Sequence, residues 1–437
     1  MGIAVTRGSS GNAPAAARLH CRLCDSDRLR SILDLGATPA FENFLTIDEL
    51  DLPETMLPLH LRLCDDCLLL QVPALITPQD IFTEYAHFSS VSETWVQHAK
   101  DFVDQVIERL ELGVESFVVE VGSNDGYLLQ HVVAARIPCL GIEPSVNVGA
   151  TARDRGVPTV SAFLDERSAR RMRAEHGPAD LVIANNVYAQ VPDVLGFTRA
   201  LRGLVADEGW VSIEVHHALN LVSQGQFDMI SHERFQYYTL LSATRALATA
   251  GLAVVDVEPL PTHGGSLRIW ARPARIAAPP SERVTDLLRM EKAAGLHRVD
   301  GYLQLRRRAE SMRHSVLRFL LQCRADGKRV VGYGAAGKGN TLLNYCGIRS
   351  DLVEYIVDRN PYKHGRFTPG MRIPIRDPGL LAKDRPDVVL ALPWNLEPEL
   401  SDQLSYIADW GGHLVFPLPT VHEATPLASN GMGMVRS

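Results

Sequence analysis

Four of the seven cysteines in this 437-residue chain fall into two pairs, Cys21-Arg-Leu-Cys24 and Cys64-Asp-Asp-Cys67. A CxxC turn places two thiolates on one side of a tight loop, and two such turns complete a tetrahedral zinc site. Four sulfur ligands leave no open position for a substrate, so the metal predicted at Cys21, Cys24, Cys64 and Cys67 is structural. A pair of redox dithiols is the alternative reading. Cys139, Cys323 and Cys346 stand apart in apolar stretches, which suits a reducing cytoplasm better than a disulfide framework.

The second candidate site is Val118-Val-Glu120-Val-Gly122-Ser-Asn124-Asp125-Gly126, an apolar strand, an acid and a glycine-rich turn that opens a helix. A dinucleotide would ask for GxGxxG, so that backbone amides meet a pyrophosphate. That spacing is absent, and Glu120 would repel a phosphate. S-adenosylmethionine, with its amino-acid head and positive sulfonium, fits an acid beside a glycine turn better. Glu143 ends the next strand, where an acid accepts hydrogen bonds from ribose hydroxyls. Asn185, Asn186 and Val187 end a third strand, where adenine and the methionyl head need partners. An ordinary α/β turn with an incidental acid remains the plain alternative.

Val330-Val-Gly332-Tyr333-Gly334-Ala-Ala-Gly337-Lys338-Gly339-Asn340 does carry GxGxxG after a strand, and Asp358 ends the following strand. This pattern predicts a diphosphate on the turn and a ribose on the acid. A dinucleotide and a nucleotide-diphosphate sugar present the same groups, so the pattern alone leaves both open. Between the two turns lies Gln226-Phe-Asp228-Met-Ile-Ser231-His232-Glu233-Arg234-Phe235, too polar for core and too aromatic for a plain loop. His232 or Glu233 there could move a proton in a cleft. Thr262-His263-Gly264-Gly265 adds a histidine on a flexible turn.

These residues need a scaffold to hold them. Apolar segments at Phe117–Val121, Pro138–Ile142, Leu181–Ala184, Trp210–Glu214 and Ala253–Pro259 alternate with amphipathic stretches, which predicts a mostly parallel sheet covered by helices. A second set follows at Arg329–Tyr333, Glu354–Val357, Val388–Leu392 and His413–Phe416. Ser281–Ala325 reads as one long charged helix between them. The predicted organisation is a tail over 1–18, a zinc module over 19–79, a cofactor domain over 80–275, a linker and helix over 276–328, and a nucleotide or substrate domain over 329–437. At 46% hydrophobic and 22% charged the chain has a globular composition. A net charge of −7 argues against nucleic acid as a partner. No apolar run approaches a membrane span, and the Ala/Gly/Ser-rich start reads as a loose tail rather than a signal peptide. The predicted partner is a small molecule.

The order of these motifs resembles a known family. The paired CxxC, the segment Glu84-Tyr85-Ala-His87-Phe-Ser89-Ser90-Val-Ser92, the turn VEVGSNDGYLL, Asn186-Val-Tyr-Ala-Gln190-Val-Pro-Asp193, QFDMISHERF and THGGSLR come in sequence. They continue through GYGAAGKGN, Val357-Asp358-Arg-Asn-Pro-Tyr-Lys363 and Leu392-Pro-Trp394-Asn395. Across residues 18–422 this is similar to the zinc-containing, S-adenosylmethionine-dependent C-methyltransferases that act on nucleotide-activated keto-deoxysugars in natural-product pathways.

The resemblance implies an α/β protein with a small zinc-binding module, a central class I methyltransferase Rossmann domain and a C-terminal Rossmann-like domain. It implies S-adenosylmethionine (or S-adenosylhomocysteine) at Glu120, Gly122, Asn124, Asp125, Gly126, Glu143, Asn185, Asn186, Val187 and Gln190. It places substrate against Tyr85, Ser89, Ser92, His263, Gly264, Tyr333, Gly334, Lys338, Asn340, Asp358, Lys363, Trp394 and Asn395. The expected assembly is a monomer or homodimer. Family chemistry removes a proton beside a ketone, and the enolate then attacks the sulfonium methyl. This chain departs from the family at that machinery. Ser231 stands in place of Tyr, Arg234 and Gln190 in place of His, and His87 in place of a second Tyr. Arginine stays protonated and cannot act as a base, which leaves Glu233, His232 and His87 to move the proton. Three readings remain at this point: methyl transfer by relocated residues, a repurposed cyclase, isomerase or reductase in which Arg234 steadies an oxyanion, or a binding protein without chemistry.

Overall fold

The computed structural model describes residues 19–40, 42–82 and 88–424. They divide into two compact units. One comprises the described residues up to Ile32, Leu61–Asn220 and His232–Tyr302; the other comprises Leu33–His60, Leu221–Ser231 and the residues from Leu303 onward.

In the first unit, Val118–Val121 and Cys139–Ile142 are buried along their whole length, as strands covered on both faces must be. They belong to a seven-stranded sheet ordered Leu252–Leu260, Ser266–Pro273, Val205–His216, Ala179–Asn185, Val118–Val121, Cys139–Ile142, Thr159–Val160. The last five pair in parallel, and the first two add an antiparallel edge. Alternate residues enter two separate cores. Val119, Val121, Leu140 and Ile142 join one, together with Cys21, Cys64 and Cys67. Val118, Cys139 and Leu181 join the other, under Phe102, Val103 and Val106 of the helix Glu93–Leu110. Ser266–Pro273 was not read as a strand from sequence, because its charged residue Arg268 is buried against Glu214 rather than exposed.

Val118–Val121 comes first in this sheet yet sits between Cys139–Ile142 and Ala179–Asn185. The chain therefore leaves its C-terminal end toward both sides, which opens a crevice where open α/β sheets hold ligands. Gly122 begins the turn there at φ +71°, and a Cβ on it would stand 3.2 Å from Val187 Cβ.

The second unit repeats the arrangement. Its sheet runs Ile375–Arg376, Ile356–Val357, Val330–Tyr333, Val388–Ala391, His413–Phe416, His422–Glu423, parallel except for the last pair. Val330–Tyr333 is again first in sequence and internal in position, and the helix Gly337–Cys346 follows its glycine turn. The charged stretch expected as one helix is two, Glu282–Ala293 and Gln304–Ala325. Gly295 (φ +82°) separates them, packed so closely on Gly301 that a Cβ there would lie 2.2 Å from the Gly295 carbonyl oxygen. Among the described residues no helix is long and apolar enough to cross a membrane.

Candidate functional site

The two cysteine turns share one geometry. Asp25 N–H donates to the Cys21 carbonyl at 2.9 Å, and Leu68 N–H donates to the Cys64 carbonyl at 3.0 Å. Asp25 and Leu68 both adopt φ +60°, closing each turn four residues after its first cysteine. The four Sγ atoms lie within 4.8 Å of one another, with Cys21–Cys67 at 3.3 Å and Cys24–Cys64 at 3.5 Å. Tetrahedral zinc–sulfur bonds of about 2.3 Å place neighbouring sulfurs at roughly this spacing.

At the first switch point Glu120 is 1% exposed, and neither carboxylate oxygen has a hydrogen-bond partner. Burial, with Glu143 and Asp125 nearby, pushes its pKa well above the ordinary carboxylate range. An unpartnered buried acid wants a cationic or N–H-donating ligand. Glu143 accepts the Asn124 amide at 2.9 Å and the Ser145 amide at 2.8 Å, so its oxygens are oriented along the turn. Asp125 is held by Arg155 at 2.9 Å and by the Ser90 hydroxyl, a fixing contact for the turn. Asn185 Oδ1 and Asn186 Nδ2 are buried without partners, and Asn124 (φ +50°) and Asn186 (φ +57°) hold left-handed backbone. Such conformations concentrate at ligand sites. Gln190 follows Val187 in a short turn closed by its own amide on the Val187 carbonyl at 2.8 Å.

The polar segment is anchored to this same frame. Phe235 N–H donates to the Ala189 carbonyl at 2.8 Å, and the Gln236 amide donates to the Tyr188 and Val191 carbonyls at 3.0 and 2.8 Å. Gln236–Tyr237 pair antiparallel with Leu70–Gln71 of the zinc module. His232 and Glu233 are buried, and Arg234 keeps one buried guanidinium nitrogen without a hydrogen-bond partner. Ser89 donates its amide to Asn124 Oδ1, while Ser92 caps the helix Glu93–Leu110. Ser92 is thereby occupied in starting that helix. His263 (φ +54°) packs against Trp95 with ring centres 5.0 Å apart and planes tilted by 52°, and precedes Gly264 in a tight turn. Tyr85 and His87 lie outside the described residues.

In the second unit, Asp358 accepts the Ala335 amide at 2.7 Å and the Asn360 amide at 2.8 Å, and Lys363 Nζ donates to the Ala335 carbonyl. These bonds shape the glycine turn, in which Gly334 takes φ +83°. Tyr333 OH accepts from Gln403 at 2.9 Å. Lys338 Nζ stands 5.1 Å from the centre of the Trp394 ring, Trp394 Nε1 donates to Asp228 Oδ2 at 2.6 Å, and Asn395 Oδ1 is buried without a partner. Asn340 is buried on the helix above the turn.

Two groups escaped the sequence reading. Asp228 is fully buried with Oδ1 unpartnered, and burial raises its pKa against the pull of Lys338 and Trp394. Its position between Phe227 and Met229 was the available signal. Glu214, at the end of its strand, takes His98 at 3.2 Å, Arg268 at 3.1 Å and Thr262 at 2.9 Å. Nothing local in sequence marks that cluster.

Comparison with known proteins finds three matches in chain order. Family profiles match for a zinc binding domain over residues 21–82, a methyltransferase domain over 95–257 and a C-methyltransferase C-terminal domain over 261–419. The C-methyltransferase NovU of Streptomyces niveus is 33% identical over 400 residues, 92% of this chain and 95% of that protein. The chain belongs to the zinc-containing C-methyltransferase family. Among solved structures, the magnesium protoporphyrin IX methyltransferase ChlM of Synechocystis matches 40% of this chain and 82% of its own at 12% identity and a TM-score of 0.33. A methyltransferase of Clostridium acetobutylicum matches 40% of this chain and 91% of its own at 10% identity, also with a TM-score of 0.33.

This C-methyltransferase uses S-adenosylmethionine and a structural zinc ion, and its residues fit both. The partnerless Glu120 carboxylate suits an ammonium or N–H donor, and the unpartnered amides of Asn185 and Asn186 offer further donors and acceptors. The four-sulfur set is closed, as a structural metal requires. When bound, the cofactor supplies an electrophilic methyl group.

Proposed function

We propose that this C-methyltransferase alkylates the carbon beside the ketone of a nucleotide-activated keto-deoxysugar or a related natural-product intermediate. It does so in the cytoplasm, on a small-molecule substrate, as a monomer or homodimer. The observation that carries the reading is the burial of His232 and Glu233 in a segment bonded through Phe235 to Ala189, in the turn that frames the cofactor residues. Glu233 takes the proton from the carbon, and His232, its neighbour in the same buried stretch, or His87, which stands where the family has Tyr, moves the proton with it. Arg234 presents its unpartnered guanidinium nitrogen to the enolate oxygen. Lys338, Asn340, Asp228 and Trp394 hold the nucleotide end at the second glycine turn, and a diphosphate suits both the helix N-terminus and the lysine.

Wild-type enzyme in deuterated water should exchange the hydrogen beside the ketone of a nucleotide-bound keto-deoxysugar, and Glu233→Gln should abolish that exchange. Equal exchange by the variant would remove Glu233 from the role. The free sugar should react at least tenfold less efficiently than its nucleotide form, and parity would exclude the nucleotide contacts.

A second reading is favoured by Gln190, Ser231, Arg234 and His87 standing where the family has Tyr and His. It keeps the fold but replaces methyl transfer with isomerisation, cyclisation or reduction of a pathway intermediate. Under it, the product carries no methyl group from S-adenosylmethionine; under the first, each turnover adds one.

A further inference from the structure

Arg22 is the first residue inside the Cys21–Cys24 turn, yet its side chain bonds to the polar segment. Its Nη1 donates to the Phe235 carbonyl at 2.9 Å and to Gln71 Oε1 at 3.3 Å, and its Nη2 donates to the Val72 carbonyl at 2.5 Å. The guanidinium also lies 5.7 Å from the centre of the Phe235 ring. The Phe235 carbonyl accepts a second bond from Val72 N–H at 3.0 Å, while Phe235 N–H donates to Ala189. Both peptide groups of the residue that follows Arg234 are therefore fixed, one to the zinc module and one to the turn beside the cofactor residues.

We propose that Arg22 is a positioning residue: the zinc-closed turn holds its guanidinium fork, and the fork sets where His232, Glu233 and Arg234 stand. The proposal rests on the reading of Glu233 and Arg234 as the groups that handle the proton and the enolate. It gives the structural metal a defined connection to turnover without any contact between metal and substrate. The planar fork is essential, because one guanidinium serves three acceptors with fixed angles, and an ammonium cannot do so. The strand pairing of Leu70–Gln71 with Gln236–Tyr237 is made by backbone groups and the metal set by four sulfurs, so neither contains the Arg22 guanidinium. Its loss should loosen the segment and leave the metal site and cofactor cradle standing. Misplacing a reacting group by about 1 Å lowers turnover on the order of 100-fold.

The test uses full-length R22K and R22M, with three measurements besides turnover: zinc content, S-adenosylmethionine affinity and amide hydrogen exchange. Both variants should hold one zinc per chain and bind the cofactor within twofold of wild type. Amides of Val72 and Phe235 should exchange at least tenfold faster, and kcat should fall 10- to 100-fold with KM little changed. Unchanged exchange at those amides in a zinc-replete variant overturns the proposal. So does loss of zinc from both variants, which would make Arg22 a builder of the metal site. If R22M does not fold, R22K alone decides. Absence of methyl transfer by wild-type enzyme would refute the proposed function, and the exchange comparison would still judge Arg22.

Discussion

Glu120 and Glu214 are both buried carboxylates on strands of one sheet, and their surroundings give them opposite tasks. Glu120 has no hydrogen-bond partner, and burial raises its pKa. Glu120→Gln should weaken S-adenosylmethionine binding about 10- to 100-fold, the size of a lost charge-assisted hydrogen bond, when measured by calorimetry; unaltered affinity would take Glu120 out of the site. Burial also acts to raise Glu214, but hydrogen bonding from His98 and the charge of Arg268 overcome it and bring the pKa down to about 2. A carboxylate depressed on folding stabilises the protein above its unfolded pKa. That contribution is present above about pH 4.5 and disappears as pH falls toward about 2. Glu214→Gln leaves Arg268, only 2% exposed, facing a neutral partner, and should lower unfolding free energy by about 3 kcal/mol at neutral pH. Urea denaturation measures it, and a loss under about 1 kcal/mol would contradict the account. Glu120 was legible because an acid between an apolar strand and a glycine turn is a local pattern. Glu214 was not, since His98 and Arg268 reach it from distant parts of the chain and an arginine in a strand reads as exposed.

At the scale of elements, both glycine turns open at the C-terminal end of the strand where the sheet changes direction. The strand-then-glycine pattern announces each turn, but only the sheet order shows that each lies at a switch point. Gly334 demonstrates why the residue type is fixed: at φ +83°, a Cβ would stand 2.4 Å from Pro393 Cγ. Gly334→Ala should therefore destabilise the C-terminal unit by about 2 kcal/mol or more and reduce nucleotide affinity. Thermal denaturation with and without nucleoside diphosphate checks both, and a variant as stable as wild type would show that the turn tolerates a side chain. The break at Gly295 and Gly301 was missed for a related reason. Each glycine alone is a weak helix signal, and only their mutual contact makes the stretch two helices.

For the whole molecule, motif order along the chain proved a better guide than local periodicity. Three modules in the expected sequence carried the family, and the 33% relative covers nearly the full length. What local sequence did not reveal is how the compact units interleave. Residues 33–60, between the cysteine pairs, group with the C-terminal unit through bonds such as Gly370 N–H to Glu54 at 2.9 Å and Leu45 N–H to the Phe367 carbonyl at 3.0 Å. Such pairings depend on contacts across most of the chain, which no local window contains. The central claim is that this scaffold transfers a methyl group to carbon with Gln190, Ser231 and Arg234 at positions where the family resemblance implies His, Tyr and His. Incubating the enzyme with trideuteromethyl-labelled S-adenosylmethionine and a nucleotide-activated keto-deoxysugar, then reading the product by mass spectrometry and carbon NMR, tests it directly. The account predicts one labelled methyl on the carbon beside the ketone and one S-adenosylhomocysteine per turnover; a turned-over product that carries no label would contradict it.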